Sequence, residues 1–139
     1  MLYRLVMLAG DTVMIPRPFY HYLQRSGSTS YGKISPRLFN YPMQTEKLFR
    51  DICRQMPEAR EAAEFLRVRS LARVAMLLDQ AEKEDRKQYA AQLKASRKGL
   101  RHHLPFLLRN KVLSRQERLV DILLAFGLYR IFRRLRHGG

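Results

Sequence analysis

Apolar residues recur at spacings of three and four through most of the chain, which is the period of helices that bury one face. The pattern is clearest at Ala62, Phe65, Leu66, Val68, Leu71, Ala72, Ala75, Met76 and Leu78. Helix-start signals accompany it. Ser35-Pro36 combines an N-cap residue with proline at the first helical position, Pro57 is followed by acidic residues, and Ser114 with Glu117 fits a capping box. The sequence predicts four to six helices in a C-terminal helical extension over residues 35–139.

The first 34 residues follow a different pattern. An apolar run at 2–9 predicts the last turns of a helix that stops at Gly10. Short strands are predicted at Val13–Ile15 and over 19–23, and they are followed by a polar loop over 26–32. Two strands alone make a marginal sheet, so residues 1–34 are interpreted as the tail end of a larger one. The predicted fold class is therefore mainly α, with two short N-terminal strands.

Two predicted interruptions divide the helical part. Pro42 is expected to bend or restart the helix that begins near Ser35, because proline lacks the backbone N–H that a helix interior uses. Gly127 is expected to split the last apolar run, 119–132, into two helices.

Charge changes this picture at the C-terminal end. The chain has 27 Lys and Arg against 12 Asp and Glu, a formal net charge of +15. Such a surplus attracts polyanions and anionic membrane surfaces. Residues 101–139 carry nine basic and two acidic side chains, a net of 9 − 2 = +7. This segment is where an anionic partner is expected first.

The last predicted helix interleaves apolar residues with arginines. Arg130, Arg133 and Arg134 alternate with residues such as Phe132, which is the composition of a helix that lies in a membrane interface. These four residues are the candidate membrane-binding set. The alternative, which the sequence leaves equally open, is a helix that packs on the core and shows a basic outer face.

A second candidate site lies in the stretch Pro18-Phe19-Tyr20-His21-Tyr22-Leu23-Gln24-Arg25-Ser26-Gly27-Ser28. Arg25 supplies a permanent charge and a fork of donors that suits phosphate oxygens. Ser28 supplies a hydroxyl in a glycine-containing loop with free backbone N–H groups, so the two residues are candidates for holding a diphosphate. A strand edge with a solvated loop is the simpler alternative.

The same stretch resembles bacterial family 2 glycosyltransferases of the GT-A fold, which carry a Pro-x-Tyr-x-Tyr-x-x-Arg-x-x-Ser segment. They also continue into a helical extension that often ends like 111–119 here, followed by an apolar helix and a basic tail. The resemblance therefore covers the whole chain. It implies that Arg25 and Ser28, with His21 as a weaker candidate, lie near the diphosphate of a nucleotide-sugar donor, and that Tyr20 and Tyr22 pack a strand against the sheet.

The sequence also departs from this family. The nucleotide-binding βα units and the Asp-x-Asp metal motif are absent, and the acidic pair that holds the catalytic base would lie before Met1. The expectation is a C-terminal portion that binds the donor only together with the missing half and is inactive alone. No catalytic residue and no cofactor are assigned to this chain, whereas Mg²⁺ or Mn²⁺ is expected for the intact enzyme.

The resemblance and the residues together suggest a location. The chain has one cysteine, Cys53, so it has no internal disulfide, and this favours the reducing cytoplasm. No stretch reaches the roughly 20 apolar residues that span a bilayer. A cytoplasmic enzyme that is peripheral on the inner face of the plasma membrane, with a cell-surface or lipid-linked glycan as acceptor, is therefore expected.

The alternative function is a small basic helical module that binds nucleic acid or an anionic membrane surface. Binding of nucleic acid through charge alone would depend steeply on salt. Three further features are interpreted as structural: a surface pair at His102-His103, a half-buried inert thiol at Cys53, and a solvated, salt-bridged helix surface at Asp79, Glu82, Glu84 and Asp85.

Overall fold

The computed structural model describes Ala9 and residues 34–137, and the side chains of all of these except His137. The chain forms two compact units, Met1–Gly32 and Lys33–Gly139. In the first unit, Ala9 is helical and exposed. The two predicted strands, at Val13–Ile15 and over 19–23, lie outside the described residues.

The second unit is built from helices, so the prediction of a mainly helical chain is confirmed. Two short 3₁₀ turns, Pro36–Phe39 and Pro57–Ala59, precede the first and second α-helices. The α-helices are α1 Asn40–Gln55, α2 Arg60–Gln80, α3 Lys83–Gln88, α4 Ala90–His102, α5 Leu104–Arg109, α6 Arg115–Phe126 and α7 Tyr129–His137. No strand occurs within residues 34–137.

The described part thus has seven α-helices where four to six were predicted, because two of them are single short segments. Helices α3 and α5 have six residues each. Helix α5 is separate because Pro105 lies in its first turn. A proline ring clashes with the carbonyl four residues earlier, here that of Arg101, so α4 cannot continue through this position.

The helix start predicted at Ser35-Pro36 is confirmed. The Ser35 hydroxyl accepts a hydrogen bond from the Arg37 backbone N–H at 3.3 Å, and Pro36 follows it. Pro42 lies in the first turn of α1, where a missing N–H removes no intrahelical hydrogen bond. The restart predicted at Pro42 is found at Asn40, where the 3₁₀ turn gives way to α1.

The two signals near the C-terminus are also confirmed. Ser114 and Glu117 form a reciprocal capping box, in which the Glu117 N–H donates to the Ser114 hydroxyl at 3.2 Å and the Ser114 N–H donates to the Glu117 carboxylate at 3.0 Å. Gly127 ends α6 in the left-handed conformation, with φ 74°. The last apolar run is therefore two helices, α6 and α7.

Helix α2 is the centre of the helical unit and contacts α1, α4, α6 and α7. Its buried residues, among them Ala63, Val68, Ala72 and Val74, lie on several sides of the helix, as expected for an element enclosed by others. The main buried cluster consists of Val68, Ala72, Ala75, Leu100, Leu107, Leu113, Leu124 and Ala125. A smaller cluster of Val74, Leu78 and Tyr89 packs against Ile34, Leu38 and Phe39.

Candidate anion- and membrane-binding surface

The predicted diphosphate-binding residues His21, Arg25 and Ser28 lie outside the described residues. Tyr20 and Tyr22, expected to pack a strand, also lie outside them. The assignment of these residues stays a prediction from the resemblance. The other predicted set, Arg130, Phe132, Arg133 and Arg134, belongs to α7 and is described.

Helix α7 and the residue before it carry three exposed apolar side chains. Leu128, just before the helix, is 48% exposed, Ile131 is 58% exposed and Leu135 is 77% exposed. Their spacing of three and four puts them on one face, which we call the apolar stripe, and Phe132 lies half-buried on the same side. Core packing is carried by Tyr129, which contacts the main cluster and accepts a hydrogen bond from Gln80 Nε2 at 3.1 Å.

The arginines of α7 gather beside the end of α2 and α3. Arg130 and Arg134 line a cavity of about 670 Å³, and they also line an adjoining cavity of about 420 Å³ together with Arg133. Arg86 of α3 lines both cavities. We call these two cavities the basic groove. The structure therefore brings three of the four predicted membrane-binding residues together on one surface.

Positive charge predominates in the basic groove. Seven cations line it: Lys83, Arg86, Lys87, Arg97, Arg130, Arg133 and Arg134. Asp79 is the acidic residue among the lining side chains, and its Oδ1 accepts a hydrogen bond from Arg97 Nη2 at 2.6 Å. Within the described part of the chain, the other six cations form no ion pair. Sequence reasoning missed Lys83, Arg86 and Lys87, because only the folded chain places α3 beside α7.

Asp79 corrects the interpretation of the acidic cluster. Glu82 and Glu84 are exposed, as expected of a solvated surface. Asp79 is only 4% exposed and forms a largely buried ion pair with Arg97. The difference follows from where these acids lie along the chain. Asp79 is on α2, at the end of the buried face that includes Ala75 and Leu78, whereas the other acids follow the end of α2.

His103 corrects the interpretation of the histidine pair. His102 is exposed, but His103 is only 9% exposed. His102 is the last residue of α4, and His103 lies between α4 and α5, where its side chain points to a different side from that of His102. Arg67 Nη2 lies 3.2 Å from His103 Nε2, and Glu64 Oε1 lies 3.2 Å from Nδ1. Because arginine only donates, Nε2 accepts and the proton is on Nδ1, which donates to Glu64.

This environment makes the stability of the chain depend on pH. Burial lowers the pKa of His103, the Arg67 charge lowers it further, and Glu64 opposes both effects. The unfolded chain then binds more protons than the folded chain at pH values below the ordinary histidine pKa of about 6.5. The stabilising contribution is therefore complete above about pH 6.5 and is lost as the pH falls through the folded-state pKa. We expect the midpoint of urea unfolding to decrease between about pH 7 and about pH 5.5.

A pair of substitutions separates this effect from other titrations. His103→Gln is expected to flatten the pH dependence over that interval, because glutamine does not titrate. His102→Gln replaces the exposed neighbour and is expected to keep the slope of the parent chain. Equal slopes for the parent chain and His103→Gln would contradict the assignment.

Two other features of the described residues bear on function. Cys53 is half-buried, as its interpretation as an inert thiol requires, and no group of three His, Cys, Asp or Glu residues within 34–137 is placed to hold a metal ion. None of the described helices combines the length and apolar character needed to cross a membrane.

The candidate surface combines two features of the described residues. The geometry is an apolar stripe on α7 beside a groove lined by cations. No protein-family model matches the sequence, and neither a curated protein nor a solved structure matches it.

Proposed function

We propose that this chain is the C-terminal portion of a family 2 glycosyltransferase whose helical unit attaches to an anionic membrane surface. The intact enzyme would transfer a sugar from a nucleotide-diphosphate donor to a cell-surface or lipid-linked glycan at the inner face of the plasma membrane. The observation that carries the attachment is the exposed apolar stripe of α7 next to the basic groove. The resemblance of Pro18–Ser28 to the family segment supports the enzymatic part.

The attachment rests on two forces that act at the same surface. Leu128, Ile131 and Leu135 are free to enter the boundary between headgroups and acyl chains, where their removal from water is favourable. Arginines near an anionic surface add about 1 kcal/mol each at moderate salt. Because α7 carries both kinds of residue, its apolar face can enter the lipid while the flanking arginines stay at the level of the phosphates.

A vesicle experiment tests the attachment. Leu128→Ser, Ile131→Ser and Leu135→Ser in one variant are expected to weaken co-sedimentation with phosphatidylglycerol vesicles by about tenfold or more, which corresponds to about 1.4 kcal/mol. The matched control replaces three exposed apolar residues outside α7, Leu66, Leu108 and Val112, by serine. The control is expected to bind as the parent chain does.

One outcome would reject the proposal of membrane attachment. If both triple variants bind as the parent chain does, the apolar stripe is not the membrane contact. Vesicles of phosphatidylcholine alone are expected to bind weakly, because they lack the negative surface potential that attracts arginine.

The enzymatic part is tested separately. The DNA upstream of the Met1 codon is expected to encode an acidic pair and, farther upstream, an Asp-x-Asp motif after βα units. In the protein that includes this region, Arg25→Ala is expected to reduce release of the nucleoside diphosphate from a nucleotide sugar by at least about tenfold, since the guanidinium would stabilise the departing diphosphate. An upstream region without these motifs would reject the glycosyltransferase proposal and leave the attachment proposal intact.

Nucleic-acid binding is the second candidate, and the cations of the basic groove favour it. Fluorescence anisotropy with a labelled single-stranded oligonucleotide measures it directly. Contacts to several phosphates would make the logarithm of the affinity fall steeply with the logarithm of the salt concentration. If the chain binds the oligonucleotide more tightly than it binds anionic vesicles, with both measured at about 150 mM salt, nucleic-acid binding is favoured over membrane attachment.

A further inference from the structure

We propose that the basic groove is a binding site for a diphosphate or phosphomonoester group. Attachment of α7 to a membrane needs only diffuse positive charge, so a defined phosphate site goes beyond the function proposed above. The groove is lined by three separate parts of the chain: the end of α2 with α3, the start and middle of α4, and α7 with Gly127 before it. A ligand in it would touch residues that are about fifty positions apart in the sequence.

Positive charge without an ionic partner surrounds the groove. Six cations that form no ion pair within the described residues face the groove: Lys83, Arg86, Lys87, Arg130, Arg133 and Arg134. Like charges gathered around a concave surface repel one another, and an anion placed between them relieves the repulsion. The acids that follow α2 do not relieve it from inside, because the exposed Glu82 and Glu84 and the half-buried Asp85 do not line the groove.

The donors that line the groove favour phosphate as the anion. Four of the six unpaired cations are arginines, and Arg86 and Arg130 are half-buried. The guanidinium is a planar fork with five donors, which matches the oxygens of a phosphate group better than the compact ammonium of lysine. The volume of about 670 Å³ in the larger cavity is in the range of small-molecule sites. A group with one or two phosphates therefore suits the groove in charge, and the volume leaves room for the rest of the molecule that carries the phosphate.

One wall of the groove is held in place by an ion pair and by close packing. The Asp79 side chain is 1% exposed, and its Oδ1 lies 2.6 Å from Arg97 Nη2. The Arg97 guanidinium in turn lies against Gly127. A Cβ atom at Gly127 would come within 3.0 Å of Arg97 Cζ. Gly127 also lines the groove, and its missing side chain leaves the space that the Arg97 guanidinium occupies. The wall formed by Asp79, Arg97 and Gly127 is thus arranged before any ligand arrives, which lowers the cost of binding.

The phosphate has two chemical sources, a soluble phosphate compound and a lipid headgroup. Ile131 lines the larger cavity and also belongs to the apolar stripe, so the groove and the stripe are continuous. A headgroup could occupy the groove while its acyl chains follow the stripe. A soluble diphosphate would use the groove alone.

Titration of the full chain with inorganic pyrophosphate, followed by calorimetry at about 100 mM salt, tests the site. The groove variant carries Arg86→Gln, Arg130→Gln and Arg134→Gln. The matched control carries Arg37→Gln, Arg54→Gln and Arg73→Gln, which removes the same charge from exposed positions that do not line the groove. The parent chain and the control are expected to bind pyrophosphate, and the groove variant is expected to bind at least about tenfold more weakly.

Two results of this titration would reject the phosphate site. No binding to the parent chain, or equal weakening in both variants, would overturn the proposal, because binding would then be absent or a matter of net charge. Circular dichroism of the groove variant confirms that a loss does not come from unfolding.

Competition identifies the source. If pyrophosphate displaces the parent chain from phosphatidic acid vesicles, the groove takes a lipid headgroup, and if it binds without displacing the chain, the groove takes a soluble phosphate. A variant with Leu128→Ser and Leu135→Ser, which leaves the groove-lining Ile131 unchanged, is expected to keep pyrophosphate binding. Failure of the membrane proposal would therefore not remove the phosphate site.

Discussion

Replacing Asp79 by alanine is expected to lower the free energy of unfolding by about 3–5 kcal/mol, the usual cost of removing one partner of a buried ion pair. The Asp79 side chain is 1% exposed and that of Arg97 is 25% exposed. Without the carboxylate, the Arg97 guanidinium would remain largely buried beside other cations of the basic groove. The loss is large against the total stability of a domain of this size, which is about 5–15 kcal/mol.

Urea unfolding of matched variants measures this effect. Asp79→Asn keeps an oxygen that can accept from Arg97 and is expected to cost less than Asp79→Ala. Glu82→Ala removes an exposed acid three residues away and is expected to change stability by less than about 0.5 kcal/mol. A cost below about 1 kcal/mol for Asp79→Ala would show that the ion pair is no more important than one in water.

The double variant Asp79→Ala with Arg97→Ala isolates the pair. If the main cost of Asp79→Ala is the unpaired guanidinium, removing Arg97 as well is expected to recover part of the stability. A cost of the double variant equal to the sum of the two single costs would assign the effect to lost packing.

Features that depend on neighbouring residues were predictable from the sequence. The capping box at Ser114 and the left-handed end of α6 at Gly127 are local arrangements whose chemistry is complete within a few residues. The helical period itself reflects which face each helix buries. For this reason the sequence predicts the helices after Ser35. The boundary between α4 and α5 has a weaker signal, which is the single residue Pro105 inside an apolar run.

Features that depend on distant residues were not predictable in this way. His103 is buried because Arg67 and Glu64 on α2 offer partners for its two ring nitrogens. The charge pattern predicts that α7 faces an anionic partner. The basic groove is also lined by residues of α3, which lies more than forty residues earlier in the chain. A pattern along the sequence shows which residues a helix presents and does not show what faces them.

Replacing Leu100 by alanine is the second large effect and is expected to cost about 2–5 kcal/mol. Leu100 is fully buried, at 0% exposure, in the main cluster with Leu107 and Leu124. The cost is expected near the upper end because α4 is already close to α2. A Cβ atom at Gly99 would come within 2.8 Å of Leu71 Cδ1, so the helices have little freedom to approach and fill the cavity.

Thermal or urea unfolding checks this value, with Leu108→Ala as the matched control. Leu108 is 57% exposed, and its loss is expected to cost less than about 0.5 kcal/mol. A cost of Leu100→Ala near 1 kcal/mol would mean that α4 does collapse onto the space. In that event the wall of the basic groove that α4 carries through Arg97 would be adaptable, and phosphate binding would have to order it rather than find it in place.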